Sequence, residues 1–164
     1  MNIFFIPIIV VLIDQLTKLY IKFNFRLYEK YEIFGNFVRI FYIENSGIAF
    51  GIDTSSFHFF MTVLTILAIL VLARYLLILH REKSDEKKSI SLILGGAIGN
   101  CVDRVLVFFP DYGYTGVIDF IDIGFGSMRW YIFNVADMSI TFGVMYYLFL
   151  LYKDKYYSYG KGNL

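Results

Sequence analysis

Three aspartates in the second half of the chain have the chemistry to act on a substrate. Asp119 and Asp122 sit in Val117-Ile118-Asp119-Phe120-Ile121-Asp122-Ile123-Gly124, an apolar run that alternates like a strand. Asp137 closes Phe133-Asn134-Val135-Ala136-Asp137, just inside the last long hydrophobic segment. A carboxylate in such surroundings costs a few kcal/mol or more unless it is paired or neutralised, so acids at a membrane edge are functional candidates. Two carboxylates a few ångströms apart cannot both ionise readily, and one keeps a proton. The ionised member takes a proton from a water as that water attacks a carbonyl. The protonated member donates to the carbonyl oxygen, and a proton later reaches the leaving amine. This is aspartic peptide-bond hydrolysis. No other nucleophile competes: there is no Gly-x-Ser-x-Gly elbow, no Ser–Lys pair in one site and no histidine near Cys101. On residue types alone the pair is Asp119–Asp137, Asp122–Asp137 or Asp103–Asp137, with a loop acid favoured beside Asp137 because water must reach it. The competing reading pairs these acids with Arg104, Arg129 or Lys18 as glue for a bundle.

The elements that hold these acids belong in a membrane. Of 164 residues, 58% are hydrophobic and 18% charged, and the usual apolar share of a soluble domain is about 45–50%. The length allows one domain. Apolar residues cluster in runs at 3–23, 57–79, 90–109 and 132–152, each close to the roughly 20 residues a helix needs to cross a bilayer. The expected fold is therefore all-α, with four transmembrane helices, and a soluble core is excluded. A net charge of +1 gives no nucleic-acid footprint. One cysteine makes no disulfide or cysteine-based zinc site, and His58 and His80, at opposite ends of the second run, are too far apart to share a metal. Residues 1–23 lack a basic leader and a small-residue cleavage site and contain Asp14 and Lys18, so they read as a retained helix.

Basic residues concentrate in the 80–89 link (Arg81, Lys83, Lys87, Lys88) and the tail (Lys153, Lys155, Lys161). This bias places both termini in the cytoplasm and segments 24–56 and 110–131 outside. Asp14 and Lys18, four apart, share a helix face and read as an ion pair orienting the first helix. Segment 31–43 is aromatic and β-branched, which suits strands at headgroup level. Asn45 stands before Gly47 and Gly51, both fit for tight turns. The third run carries Gly95-Gly96-Ala97 and Gly99 for close packing, then Asn100, Asp103 and Arg104 toward one side. With helices ending near 109 and starting near 132, Arg104 and Asp137 each lie about 7–8 Å below the outer surface, in the layer of Lys18.

Read together, these motifs resemble the bacterial lipoprotein signal peptidases (signal peptidase II). The resemblance runs from the first helix to the last. It rests on Asp14-Gln15-Leu16-Thr17-Lys18, Asn45-Ser46-Gly47-Ile48-Ala49-Phe50-Gly51, Gly95 to Arg104, Val117 to Phe120, and Phe133 to Asp137. A small departure is Ile48, where the family more often has a small residue. The resemblance implies a catalytic pair Asp119 and Asp137, with Asp122 a neighbour. It implies cleavage of signal peptides from prolipoproteins just before a diacylglyceryl-modified cysteine, in the bacterial cytoplasmic (inner) membrane, without metal or cofactor. By the same resemblance Asn45, Asn100, Arg104 and Asn134 line the site and hold the substrate backbone, supported by Asp14 and Lys18. Asp103, Gly47 and Gly99 are structural. Segment 31–43 becomes a small β-cradle between helices 1 and 2 on the outer leaflet, and 110–131 carries a mobile flap over the site. The expected partners are the lipidated prolipoprotein and membrane lipid, and the chain is expected to be a monomer.

Two rivals predict different things. A proton-coupled transporter using Asp14, Asp103 and Asp137 as a relay predicts acids through the membrane depth and an internal repeat, and the sequence has no repeat. A noncatalytic assembly factor predicts that Asp119→Asn and Asp137→Asn are harmless.

Overall fold

The structure, a computed structural model, describes residues 3–47 and 54–161, so Ile48, Ala49, Phe50 and Gly51 of the second motif lie outside the described residues. In chain order the elements are α1 (Phe5–Asn24), β1 (Lys30–Phe34), β2 (Val38–Asn45), α2 (Thr54–Arg81), α3 (Lys87–Leu106), a 3-10 turn (Pro110–Tyr112), β3 (Val117–Phe125), β4 (Met128–Arg129) and α4 (Val135–Lys161). Three helical stretches among the described residues are long and apolar enough to cross a membrane: Phe57–Arg81, Lys87–Leu106 and Val135–Lys155. The remaining helix, α1, carries Asp14, Lys18 and Lys22 among its residues.

Helix α3 packs against α1, α2 and α4. Lipid tails are as apolar as leucine, so helices in a membrane associate through close van der Waals contact and hydrogen bonds rather than hydrophobic burial. The small residues of α3 supply that contact. A Cβ on Gly95 would stand 2.7 Å from Val10 Cβ of α1, one on Gly96 would overlap the Ala136 carbonyl of α4, and one on Gly99 would stand 2.6 Å from Asp14 Oδ2. The Gly96→Ala change should therefore cost about 1–3 kcal/mol through overpacking and displace the first turn of α4. A lower melting temperature together with reduced activity checks this, and an unchanged melting temperature would contradict it.

The strands form one antiparallel sheet in the order β1-β2-β3-β4. The cradle is thus larger than the expected insertion between helices 1 and 2. Segment 110–131, expected to carry a flap, contributes β3 and β4. The physical reason lies in the alternating run itself: Ile43 pairs with Asp119 and Asn45 with Val117, so β2 finds its partner in the apolar residues before α4. Along β3, side chains alternate between faces. Ile118 and Phe120 point into a core with Ile21, Tyr42 and Tyr114, while Val117 and Asp119 line a cavity on the other side.

The helix ends also differ from expectation. Helix α3 stops at Leu106 and runs on into tight turns at Phe108 and Phe109, and α4 starts at Val135 because Phe133 bridges Ile121 of β3 and Asn134 caps the helix. Arg104 and Asp137 consequently lie within the terminal turn of their helices, about 3 Å from its end rather than 7–8 Å below it.

Candidate active site

Asp137 is fixed by a reciprocal cap. The Asn134 side-chain oxygen accepts from the Asp137 backbone N–H (2.9 Å), and Asp137 Oδ2 accepts from the Asn134 backbone N–H (3.2 Å). This is the capping-box arrangement with Asn and Asp in the two roles. It satisfies two N–H groups that a helix start leaves unpaired and holds the carboxylate at the α4 N-terminus, where the helix dipole favours negative charge.

Three asparagine amides then aim their NH2 groups at the two acids. Asn45 Nδ2 donates to Asp119 Oδ2 (3.0 Å), Asn134 Nδ2 to Asp119 Oδ1 (2.7 Å), and Asn100 Nδ2 to Asp137 Oδ1 (2.8 Å). Each amide is oriented through its own oxygen, since that atom only accepts. Asn45 Oδ1 accepts from the Gly47 N–H (2.9 Å), a turn that Gly47 allows at φ +74°. Asn100 Oδ1 accepts from Lys18 Nζ (2.9 Å) and Asn134 Nδ2 (3.0 Å). All four carboxylate oxygens of Asp119 and Asp137 thus accept an N–H, and Asn134 touches both acids. Both acids line one cavity of about 90 Å³, with Asn100, Arg104, Asn45, Ser46 and His58 in its wall. Arg104 gives one N–H to the Asn100 carbonyl (3.2 Å). Asp137 also borders a larger apolar cavity of about 380 Å³ walled by Ile123, Trp130, Tyr131, Phe133 and Phe142.

Asp119 is 2% exposed. Burial pushes its carboxyl up to about 7, the Asp137 charge adds to the rise, and the amides of Asn45 and Asn134 with Lys18 oppose it. Desolvation outweighs the donors, so Asp119 holds a proton near neutral pH.

Beneath the pair lies a charged layer. Lys18 bridges Asp14 (2.8 Å) and Asp103 (3.0 Å), and all three side chains are fully buried. Asp14 also accepts from the Ala136 N–H (2.8 Å) and Asp103 from the Ile118 N–H (3.0 Å). The layer ties α1 and α3 to the residue next to each acid of the pair. Asp122, by contrast, is turned away from Asp119 and accepts from Arg129 (2.6 Å) and from Arg39 (2.6 Å). Its burial opposes ionisation, but the guanidiniums of Arg129 and Arg39 win and hold it below the usual carboxylate range.

Three residues outside the sequence-derived set enter this neighbourhood. Gln15 donates to Asp14, Asp103 and the Gly99 carbonyl. Glu44, next to Asn45, accepts from Lys22, Tyr42 and Thr115, joining α1, β2 and the loop before β3. His58, considered in the sequence only as too distant from His80 to share a metal, lines the cavity. Glu44 and Gln15 each adjoin a residue already singled out, and that adjacency was the available signal; His58 had none.

The family model described as Signal peptidase (SPase) II matches residues 6–153. The lipoprotein signal peptidase of Moorella thermoacetica is 37% identical over 140 residues, covering 85% of each chain. That of Staphylococcus haemolyticus is 33% identical over 149 residues, covering 91% of this chain and 89% of its own. A solved bacterial membrane enzyme structure is 34% identical with a TM-score of 0.74 and covers 91% of both chains.

Proposed function

The chain belongs to the signal peptidase II family, and we propose that it removes the signal peptide from diacylglyceryl-modified prolipoproteins, cutting before the lipidated cysteine by water attack between Asp119 and Asp137. The observation that carries this reading is the pair itself: two acids on one cavity, every oxygen oriented by an N–H, with Asp119 raised to about 7. The pair holds one proton, carried by Asp119 in the free enzyme. Asp137 takes a proton from the water as its oxygen bonds to the scissile carbonyl carbon, and Asp119 gives its proton to the carbonyl oxygen. The resulting diol collapses as one hydroxyl returns a proton to Asp119, the C–N bond breaks and the amine takes the proton from Asp137. One proton again remains on the pair. Arg104 and the amides hold the substrate backbone, and the apolar cavity beside Asp137 receives apolar parts of the substrate.

In this reading α1 is a fourth crossing. It turns Asp14 and Lys18 inward while Phe5, Ile8, Leu12, Ile13 and Leu16 are exposed. Intramembrane charges face protein in this way. The basic 80–89 link and tail put both termini in the cytoplasm of the inner membrane. The sheet and the site then stand at the outer leaflet, level with the substrate's glyceryl group. The chain works as a monomer, since its cavity is walled by its own elements.

The test is cleavage by purified protein in detergent of a prolipoprotein peptide with and without its diacylglyceryl group, the products weighed by mass spectrometry. The expected result is one cut, before the lipidated cysteine, in the modified peptide only. Cleavage elsewhere, or of the bare peptide alone, would contradict the proposal.

A further inference from the structure

Among the described residues, the cavity wall contains two polar side chains that the mechanism above does not use, Ser46 and His58. His58 is 8% exposed and lines the cavity that Asp119 and Asp137 share. Its backbone carbonyl accepts from Thr62 (2.7 Å), but its ring has no hydrogen-bond partner among the described residues. Each site amide, Asn45, Asn100 and Asn134, already gives an N–H to one of the two carboxylates. Arg104, the Ser46 hydroxyl, the remaining amide hydrogens and the His58 ring are left to meet a substrate, and the buried imidazole among them has no hydrogen bond to the site. An imidazole carries at least one N–H, and a cavity of about 90 Å³ has room for waters that can accept from it in the free protein. A bound peptide displaces them, and the imidazole N–H then stays unpaired unless the substrate brings an acceptor.

We propose that His58 is a substrate-binding residue that donates a hydrogen bond to a carbonyl oxygen of the lipidated substrate. The assignment rests on the peptidase reading and deepens it. Two carbonyl sources reach this depth: the peptide backbone beside the scissile bond and the esters of the diacylglyceryl group. Neighbouring Phe59 and Phe60 are 63% and 59% exposed, so α2 presents apolar side chains outward on the helix that carries His58 inward. A substrate whose lipid stays in the bilayer meets this wall where its polar junction enters the cavity.

The experiment measures KM and kcat for wild type, His58→Phe and His58→Gln on two peptides, one with ester-linked chains and one with ether-linked chains that lack the carbonyls. The hydrogen bond is made equally in ground and transition states, so its loss should appear in KM. His58→Phe should raise KM about 3- to 10-fold with kcat little changed, and His58→Gln, which keeps an N–H donor, should recover most of it. If the ester is the acceptor, the ether peptide raises the wild-type KM by a similar factor and makes His58→Phe indifferent. If the backbone is the acceptor, the penalty persists on both peptides. Both patterns support the donor role. Equal KM for wild type and His58→Phe, or a penalty that glutamine does not relieve, overturns the assignment while leaving the peptidase reading intact. No cleavage by wild type overturns both.

Discussion

Changing either Asp119 or Asp137 to asparagine should lower kcat on a lipidated peptide by about a thousandfold or more, the scale of losing positioned acid–base catalysis. An amide cannot accept the water's proton, nor release one to the carbonyl oxygen. At Asp119 the amide has a second fault. Both carboxyl oxygens accept from NH2 groups, Asn45 at 3.0 Å and Asn134 at 2.7 Å, and a protonated acid still accepts at both while aiming its single proton elsewhere. An asparagine sets its own NH2 against one of those donors. Some loss of stability should accompany the loss of activity, so melting curves belong beside the kinetics. Asp122→Asn is the contrasting variant. It releases Arg39 and Arg129 and loosens the cradle, yet kcat should stay within a few-fold. A folded Asp119→Asn or Asp137→Asn protein that still cleaves would contradict the two-acid account, and so would an Asp122→Asn loss as deep as theirs.

The largest expected effect on stability is at Lys18. Its ammonium lies 2.8 Å from Asp14 and 3.0 Å from Asp103, with no exposure on any of the three side chains. Removing one member of such a group leaves uncompensated charge, and Lys18→Met should cost about 3–5 kcal/mol. Activity should fall as well, because Lys18 also orients the Asn100 oxygen (2.9 Å) and through it the NH2 that meets Asp137. The origin of the cost is testable in the same background. Adding Asp103→Asn to Lys18→Met removes one stranded carboxylate and should recover part of the stability. Additive losses would contradict the electrostatic explanation.

How much of this was legible in the chain follows from what each feature depends on. The helices were readable because length and apolarity suffice to mark them, although their ends were not. Helix α4 starts where Phe133 has bridged β3 and Asn134 caps the helix through Asp137, which apolarity does not record. The ion pair Asp14–Lys18 followed from spacing on one helix, whereas Asp103 as its third member needed the close approach of α1 and α3 over Gly95 and Gly99. On β3 the alternating pattern separated Asp119 from Asp122, but which face met Asp137 depended on the pairing with β2. The distribution of the amides was hidden for a similar reason. Asn45, Asn100 and Asn134 come from three distant segments, and only their oxygens' partners decide where the NH2 groups point.

The most direct measurement of the central claim, a carboxyl pair that shares one proton, is the titration of Asp119 in the folded protein. Carbon-13-labelled aspartate, or infrared difference spectra against Asp119→Asn, reports its protonation state in detergent. Because burial raises the carboxyl to about 7 and the Asp137 charge contributes, Asp119 should be protonated at pH 6 and ionised well above 7. In Asp137→Asn its midpoint should move down, while burial keeps it above the ordinary carboxylate range near 3.9. An Asp119 that titrates near that ordinary value, or one whose midpoint is indifferent to Asp137, would contradict the shared proton on which the mechanism depends.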